Sequence, residues 1–146
     1  MGAYRKPFSR SLYGKYDNIA KEKLISNLVR VGHELVDSEE TYDADVVTQK
    51  DGVQHFSEAE VKTAWKGDWP KHWADIRIPE RKKRLLSKHG SNLKFYIFSG
   101  DLSMCWCIDS SLLTDDKLKE ATGPNIFNGE QFYHVPYNQA KLIKVA

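Results

Sequence analysis

Residues 45–62 read DVVTQKDGVQHFSEAEVK, and this stretch decides the fold class because it contains two extended runs separated by a tight turn. The turn is Lys50-Asp51-Gly52, a combination typical of short hairpin connections. We therefore predict a strand at 43–49 and a second at 53–65, paired antiparallel. Residues 33–38, HELVDS, predict one further strand, which completes an antiparallel meander.

Helices are expected before and after this meander. The first spans 17–31, with Asp17 as its N-cap and Gly32 just past its end. Its apolar side chains recur near one helical face, at Ile19, Leu24, Leu28 and Val31. After a linker around Gly67 and Pro70, a second helix is expected in IPERKKRLLSKHG, with Pro79 near its start and Gly90 past its end.

The last third of the chain adds more strands. Residues 93–98 and 103–109 are apolar enough to be buried strands, a short helical stretch follows near 114–121, and 132–137 is extended. This order predicts an α/β fold with a mixed central sheet flanked by helices.

Length and composition are typical of one folded domain. The chain has 146 residues, of which 40% are hydrophobic and 29% charged. We expect a basic N-terminal arm at 1–16 and a single domain at 17–146. No apolar run reaches membrane-spanning length, no secretory signal is visible, and Cys105 and Cys107 are too close in sequence for a structural disulfide. A soluble, cytoplasmic protein without a membrane partner is expected.

Charge is distributed unevenly along the chain. Residues 1–15 carry four basic side chains and no acid, whereas residues 34–51 carry seven acids and one lysine. Residues 62–94 then carry ten basic side chains and three acids. Acids that hold cations, flanked by bases that hold phosphates, are typical of a metal-dependent enzyme acting on a polyphosphate, although solvated surface charge gives the same pattern.

Three side chains of the hairpin carry the predicted chemistry. Glu60 and Lys62 are two residues apart on one strand, so they project from the same face. The hairpin brings Asp45, at the start of the neighbouring strand, next to Glu60. Two adjacent carboxylates repel each other unless a cation lies between them, and hard oxygen ligands suit Mg²⁺ or Mn²⁺. Lys62 would then orient or deprotonate an attacking water and balance the charge on a phosphate.

Several alternatives remain open at this point. Glu58 shares the face of Glu60 and Lys62, so it could be an extra ligand or support the ligands. Asp43 competes with Asp45 as the acid of the preceding strand. A second Glu-x-Lys, Glu80-Arg81-Lys82, lies in a run that is helical in pattern, so we do not assign it to the site.

The motif resembles that of the PD-(D/E)xK nuclease superfamily. Asp45-Val46-Val47 and Glu60-Val61-Lys62-Thr63 match its pattern with 14 residues between Asp45 and Glu60, and Ala44 stands where the family often has proline. Over residues 17–109 the order of elements is similar to the restriction-endonuclease-like core, especially to archaeal-type Holliday junction resolvases. In that branch a glutamate of the first helix often joins the site, and Glu22 occupies a comparable place.

The resemblance implies a role for each matched residue. Asp45, Glu60 and the Val61 carbonyl would bind Mg²⁺, for which Mn²⁺ can substitute. Lys62 would orient or deprotonate the nucleophilic water, and Glu22 would position a second metal or its water. The implied products carry 5′-phosphate and 3′-hydroxyl ends. We expect a homodimeric DNA endonuclease that resolves Holliday junctions in DNA recombination and repair, acting in a host cytoplasm if phage-encoded.

Other functions remain open beside the resolvase. Within the enzyme class they are a nicking or restriction-type endonuclease and a DNA-end exonuclease. A non-catalytic nucleic-acid-binding protein on a nuclease-like fold is the alternative from another class. The sequence has no phosphate-binding glycine loop, so no nucleotide cofactor is expected.

Basic residues outside the motif are candidates for contact with the DNA backbone. They are Arg10, Lys15, Lys66, Lys71, Arg77, Arg81, Lys82 and Arg84. Trp65, Trp69 and Trp73 are interleaved with them, and either stack on unpaired bases or pack a helix onto the sheet. The five histidines show no metal-ligand spacing, and the two cysteines are expected to be buried free thiols.

Overall fold

The computed structural model describes residues 10–121, 126 and 129–145, with side chains described from residue 18 onward. Over these residues it is a mixed α/β fold with two α-helices, α1 (Arg10–Arg30) and α2 (Lys83–His89). Its strands are β1 (Glu34–Asp37), β2 (Val46–Lys50), β3 (Val53–Lys62), β4 (Asp75–Pro79), β5 (Leu93–Ser99), β6 (Met104–Asp109), β7 (Leu118–Glu120), β8 (Gln131–Pro136) and β9 (Lys141–Lys144).

The predicted meander is confirmed and forms one half of the central sheet. Strands β2 and β3 pair antiparallel from Val46 opposite Ser57 to Lys50 opposite Val53, and β1 pairs antiparallel with β2. Asp51 and Gly52 connect β2 to β3 with φ angles of +53° and +78°, the left-handed conformation that this hairpin turn requires. The hairpin thus follows from its turn sequence.

The central sheet is mixed, as predicted, and has six strands in the order β1-β2-β3-β5-β6-β9. Among the strands that the structure describes, the one parallel pairing joins β3 to β5, from Phe56 opposite Leu93 to Lys62 opposite Ser99. Because two parallel neighbours cannot be joined by a tight turn, residues 63–92 cross over the sheet between them. We call residues 63–92 the crossover.

Helix α1 covers one face of the central sheet. Ala20, Leu24 and Leu28 are buried there against a cluster that includes Ala59 and Val61 of β3. Gly32, with φ of +102°, follows the helix end as predicted. The predicted N-cap is wrong, because the helix begins at Arg10 and Asp17 lies inside it. No proline interrupts residues 10–16, so the helix continues through them.

A second sheet covers the opposite face, and this was not expected. Its order is β4-β8-β7, and Ile76, Ile78, Tyr133 and Val135 bury their side chains against Phe95, Ile97, Trp106 and Ile108 of the central sheet. Helix α2 contributes the buried Leu85 to the same core. The predicted sheet with helices on both faces is therefore correct for the face covered by α1, whereas the second sheet covers most of the other face together with α2.

Three strands were missed by the sequence analysis. Strand β4 lies where a linker and the start of the second helix were expected: Pro79 ends β4, and the helix begins only at Lys83. Strand β9 pairs with β6 at the edge of the central sheet. The helical stretch predicted near 114–121 is wrong beyond residue 117, since Leu118–Glu120 pair with Gln131–Tyr133. This pairing partner is distant in sequence, so the local pattern did not indicate it.

Of the predicted N-terminal arm, residues 1–9 lie outside the described residues and residues 10–16 belong to α1. Within the part of the chain that the structure describes, no helix has the length and apolar character needed to cross a membrane.

Candidate active site

The predicted site residues of β3 lie on the face opposite to α1. Ala59 and Val61 pack against α1, and since side chains alternate along a strand, Glu58, Glu60 and Lys62 project from the other face. Asp45 immediately precedes β2, at the position that extends the β2–β3 pairing toward Glu58. The hairpin therefore brings all four side chains to the same side of the sheet.

The carboxylates of Asp45 and Glu58 each accept a hydrogen bond from a backbone amide on the opposite side of the hairpin. The backbone amide of Asp45 donates to Oε2 of Glu58 at 2.8 Å, and the amide of Ala59 donates to Oδ2 of Asp45 at 2.9 Å. These two bonds continue the β2–β3 ladder beyond its last backbone pair. As a result, the carboxylate of Asp45 is held against the residue that precedes Glu60.

Glu60 and Lys62 form an ion pair that solvent can reach. Nζ of Lys62 lies 2.9 Å from Oε2 of Glu60, and the two side chains are 24% and 42% exposed respectively. A ligand approaching from solvent can therefore contact both groups. Such an exposed pair contributes little to stability on its own.

A second ion pair lies deeper in the cluster. Nζ of Lys82 donates to Oε1 of Glu58 at 2.7 Å, where the Glu58 side chain is only 8% exposed. Lys82 ends the 3-10 turn Glu80–Lys82, which connects β4 to α2. We call Asp45, Glu58, Glu60, Lys62 and Lys82 the acidic cluster; with three carboxylates and two ammonium groups its formal charge is −1.

The structure separates Asp45 from its competitor Asp43. Asp43 lies outside β2 in an exposed loop with φ of +60°, and its carboxylate accepts a hydrogen bond from Nζ of Lys88 at 2.9 Å. That hydrogen bond lowers the pKa of Asp43. Asp43 therefore belongs to a surface ion pair, while Asp45 belongs to the acidic cluster.

Glu22 is not brought together with the acidic cluster. Ala20 and Leu24 face the central sheet, and Glu22, midway between them in sequence, is exposed on the solvent side of α1. Moreover, α1 covers the face of the sheet opposite to Glu60. Of the two alternatives for completing the site, the geometry favours Glu58.

The second Glu-x-Lys motif, Glu80-Arg81-Lys82, was predicted to lie outside the strands, and it does. Glu80 begins the 3-10 turn and is exposed. The side chain of Lys82 nevertheless belongs to the acidic cluster, because its Nζ donates to the Glu58 carboxylate. The sequence analysis assigned Lys82 to DNA contact and missed its pairing with Glu58. The alternation in Asp75-Ile76-Arg77-Ile78 indicates strand β4, which precedes the turn, but no sequence pattern indicates the contact between Lys82 and Glu58.

The donor atoms of the cluster fit a hard divalent cation. The carboxylates of Asp45 and Glu60 and the carbonyl of Val61 are oxygen ligands of the kind that Mg²⁺ prefers. Among the described residues, no group of three or more His, Cys, Asp or Glu side chains could hold a metal ion. The predicted ligand set is smaller than such a group, because it contains two carboxylates and one backbone carbonyl.

Most of the predicted DNA-binding residues are exposed. Those with described side chains and an exposed surface are Lys66, Lys71, Arg77, Arg81 and Arg84. Arg81 also lies 3.6 Å from a carboxylate oxygen of Glu130. The side chains of Arg10 and Lys15 lie outside the described ones.

The three tryptophans of the crossover form part of the core. Trp65 is fully buried, stacks on Trp106 with ring centroids 6.1 Å apart, and donates its Nε1 hydrogen to the carbonyl of Gly67. Trp69 is half-buried and donates to the carbonyl of Trp73 at 2.7 Å. The geometry thus matches the packing interpretation for Trp65, whose ring has no exposed face for a base.

Both cysteines are free thiols, as expected, but only Cys105 is buried as predicted. Cys105 is buried and Cys107 half-buried, and burial raises the pKa of both thiols. A thiol with a raised pKa is a poor nucleophile and a poor metal ligand at neutral pH.

No protein-family model matches the chain, and a search of curated proteins found no significant match.

Proposed function

We propose that this protein is a metal-dependent DNA endonuclease of the PD-(D/E)xK type, with a restriction-endonuclease-like core. One observation carries the proposal: the Asp45 carboxylate is hydrogen-bonded to the backbone directly before Glu60, on the face where Glu60 pairs with Lys62. The element order supports it further, since a leading helix is followed by a three-stranded meander, the order on which the resemblance to that core rests.

Mg²⁺ would be held by Asp45, Glu60 and the carbonyl of Val61, and Mn²⁺ could replace it. When bound, the ion supplies Lewis-acid polarisation of a phosphoryl oxygen. Lys62 orients the water that attacks phosphorus and balances the charge that develops on the phosphate. The bond from the water oxygen to phosphorus forms while the bond to the 3′ oxygen breaks. The attacking water loses one proton to solvent and the leaving oxygen takes one from solvent, so the products carry a 5′-phosphate and a 3′-hydroxyl.

The proposed substrate is branched DNA, with the Holliday junction first. The exposed basic residues of the crossover, Lys66, Lys71, Arg77, Arg81 and Arg84, would contact backbone phosphates, which carry no sequence information. Recognition of DNA shape by a homodimer, with each copy cutting one strand, is therefore part of the proposal.

The test is cleavage of labelled DNA by the full chain. A four-way junction, a linear duplex, a flap and a single strand are each incubated with Mg²⁺ or with EDTA. We expect paired symmetric nicks in the junction with Mg²⁺ alone. Cleavage of other substrates in preference to the junction would retain the nuclease but exclude the resolvase. DNA binding without any cleavage in Mg²⁺ or Mn²⁺ would overturn the proposal and favour a binding protein.

Matched variants link the cleavage to the site. Glu60→Gln and Lys62→Met should each reduce the rate by roughly 100-fold, because each removes a charge that acts on the reacting phosphate or its metal. Glu80→Gln is the control and should leave the rate unchanged, since Glu80 is the first residue of the second Glu-x-Lys motif, which lies outside the strands. Glu22→Gln should stay within about twofold of wild type, whereas a catalytic Glu22 would make it as inactive as Glu60→Gln.

A further inference from the structure

Lys82 is the member of the acidic cluster that comes from the crossover, and sequence alone assigned it to DNA contact. We propose that Lys82 is a positioning residue, which acts through Glu58 to hold the Asp45 carboxylate in place for the metal. This inference rests on the proposed function, because it concerns the same site.

Both oxygens of Glu58 are engaged in this arrangement. Oε1 accepts the hydrogen bond from Lys82 at 2.7 Å, and Oε2 accepts the bond from the Asp45 amide at 2.8 Å. Since the Glu58 side chain is 8% exposed, water cannot easily replace either donor. The bonds therefore form one continuous chain from Lys82 to Asp45.

Removal of Lys82 would leave the buried carboxylate of Glu58 without its charged partner. An uncompensated buried charge is strongly unfavourable, so the Glu58 side chain would rotate toward solvent. A rotated Glu58 no longer accepts the hydrogen bond from the Asp45 amide. Asp45 would then lose the bond from its own amide, while the bond from the Ala59 amide to its carboxylate remains.

Positioning and plain electrostatics predict opposite effects on metal binding. Lys82 is a cation close to a proposed cation site, so by Coulomb repulsion alone its removal should strengthen binding of Mg²⁺. If Lys82 instead positions Asp45, its removal should weaken binding. The sign of the change therefore distinguishes the two roles.

Lys83 provides a matched control on the same segment. It follows Lys82 directly, and Nζ of Lys83 lies 3.3 Å from Asp115 in a pair whose side chains are 50% and 76% exposed. Lys82→Met and Lys83→Met therefore remove the same charge from adjacent positions. Only the first breaks the contact with Glu58.

The experiment uses the full chain and measures Mg²⁺ binding by titration calorimetry and the Asp45 and Ala59 amides by NMR. We expect Lys82→Met to bind Mg²⁺ about 10-fold more weakly than wild type, as is common when a residue behind a metal ligand is lost. Both amide signals should shift in Lys82→Met and remain in place in Lys83→Met. The double variant Glu58→Gln/Lys82→Met should regain part of the affinity, because it contains no unpaired buried charge.

Two results would overturn the positioning role: Mg²⁺ binding by Lys82→Met that equals or exceeds wild type, or unchanged Asp45 and Ala59 amides in a folded Lys82→Met. Failure of the proposed function has a different signature. In that case wild type itself neither binds Mg²⁺ nor cleaves DNA, and the metal-positioning role fails with it. A shift of the two amides in Lys82→Met would then still demonstrate the hydrogen-bonded chain.

Discussion

Gly100 lies directly against the backbone of Thr63, so that a Cβ atom at Gly100 would be only 2.7 Å from the Thr63 carbonyl oxygen. The amide of Gly100 also donates a hydrogen bond to the carbonyl of Trp65. Thr63 follows Lys62, the last residue of β3. The turn after β5 therefore fixes the chain where it leaves the candidate site, and only glycine leaves enough space for this contact.

Gly100→Ala should destabilise the protein by about 1–3 kcal/mol, because the neighbouring atom is backbone and cannot rotate away. Chemical denaturation measures the change. Gly67→Asn is the control: Gly67 has φ of +71° and open space around it, and asparagine tolerates that conformation. If Gly100→Ala were as stable as wild type, the close contact with Thr63 would be wrong.

Asp45→Asn should abolish metal-dependent cleavage, whereas Asp43→Asn should retain it. Asp45 belongs to the acidic cluster, and its amide variant is a weaker ligand for a hard cation. Asp43 instead pairs with Lys88 at the surface. Cleavage rates of the two variants with Mg²⁺ decide between these acids, and an active Asp45→Asn beside an inactive Asp43→Asn would reverse our assignment.

Trp65→Ala should cost about 3–5 kcal/mol of stability, because the fully buried indole packs against Trp106 in the core. Thermal and chemical denaturation test this cost. A base-stacking role makes the contrary prediction, namely unchanged stability with weaker binding of single-stranded DNA.

Acidification should weaken the fold through His33. Its pKa is lowered below 6.5, first by burial and then by the nearby charges of His55 and Lys50. The unfolded chain therefore binds a proton at His33 more readily than the folded chain. Stability from this residue is complete above the unfolded pKa and is lost as the pH falls from there through the folded pKa.

Denaturation of wild type and His33→Gln between about pH 8 and pH 5 measures this contribution. The free energy of unfolding should decrease less steeply on acidification in His33→Gln. The pKa values of His89 and His134 are also lowered chiefly by burial, so these residues contribute to the pH dependence of the free energy of unfolding in both proteins. If the free energy of unfolding depends on pH identically in wild type and His33→Gln, His33 does not contribute to that dependence.

The parts of the fold that were predictable are those set by local sequence. The β2–β3 hairpin follows from its turn and its extended flanks, and the apolar run of β5 indicates a buried strand. Asp45, Glu60 and Lys62 could be chosen because the hairpin fixes which side chains share a face.

The second sheet depends instead on pairing between distant segments. Strand β7 is three residues long, and its partner β8 begins eleven residues after its end. The contact between Glu58 and Lys82 likewise spans 24 residues and depends on the path of the crossover. No periodicity encodes that path, so Lys82 could be recognised as basic but not as a partner of Glu58.

The parallel pairing of β3 with β5 has a consequence for protein engineering. Asp45, Glu60 and Lys62 belong to one hairpin, while many of the exposed basic residues belong to the crossover inserted between β3 and β5. The exposed basic positions of the crossover could therefore be changed in number or charge without altering the hairpin, provided that the buried Trp65, Ile76, Ile78 and Leu85 are kept. Lys82 must also be kept or replaced by another cation, because otherwise the hairpin carries a buried anion without a counterion.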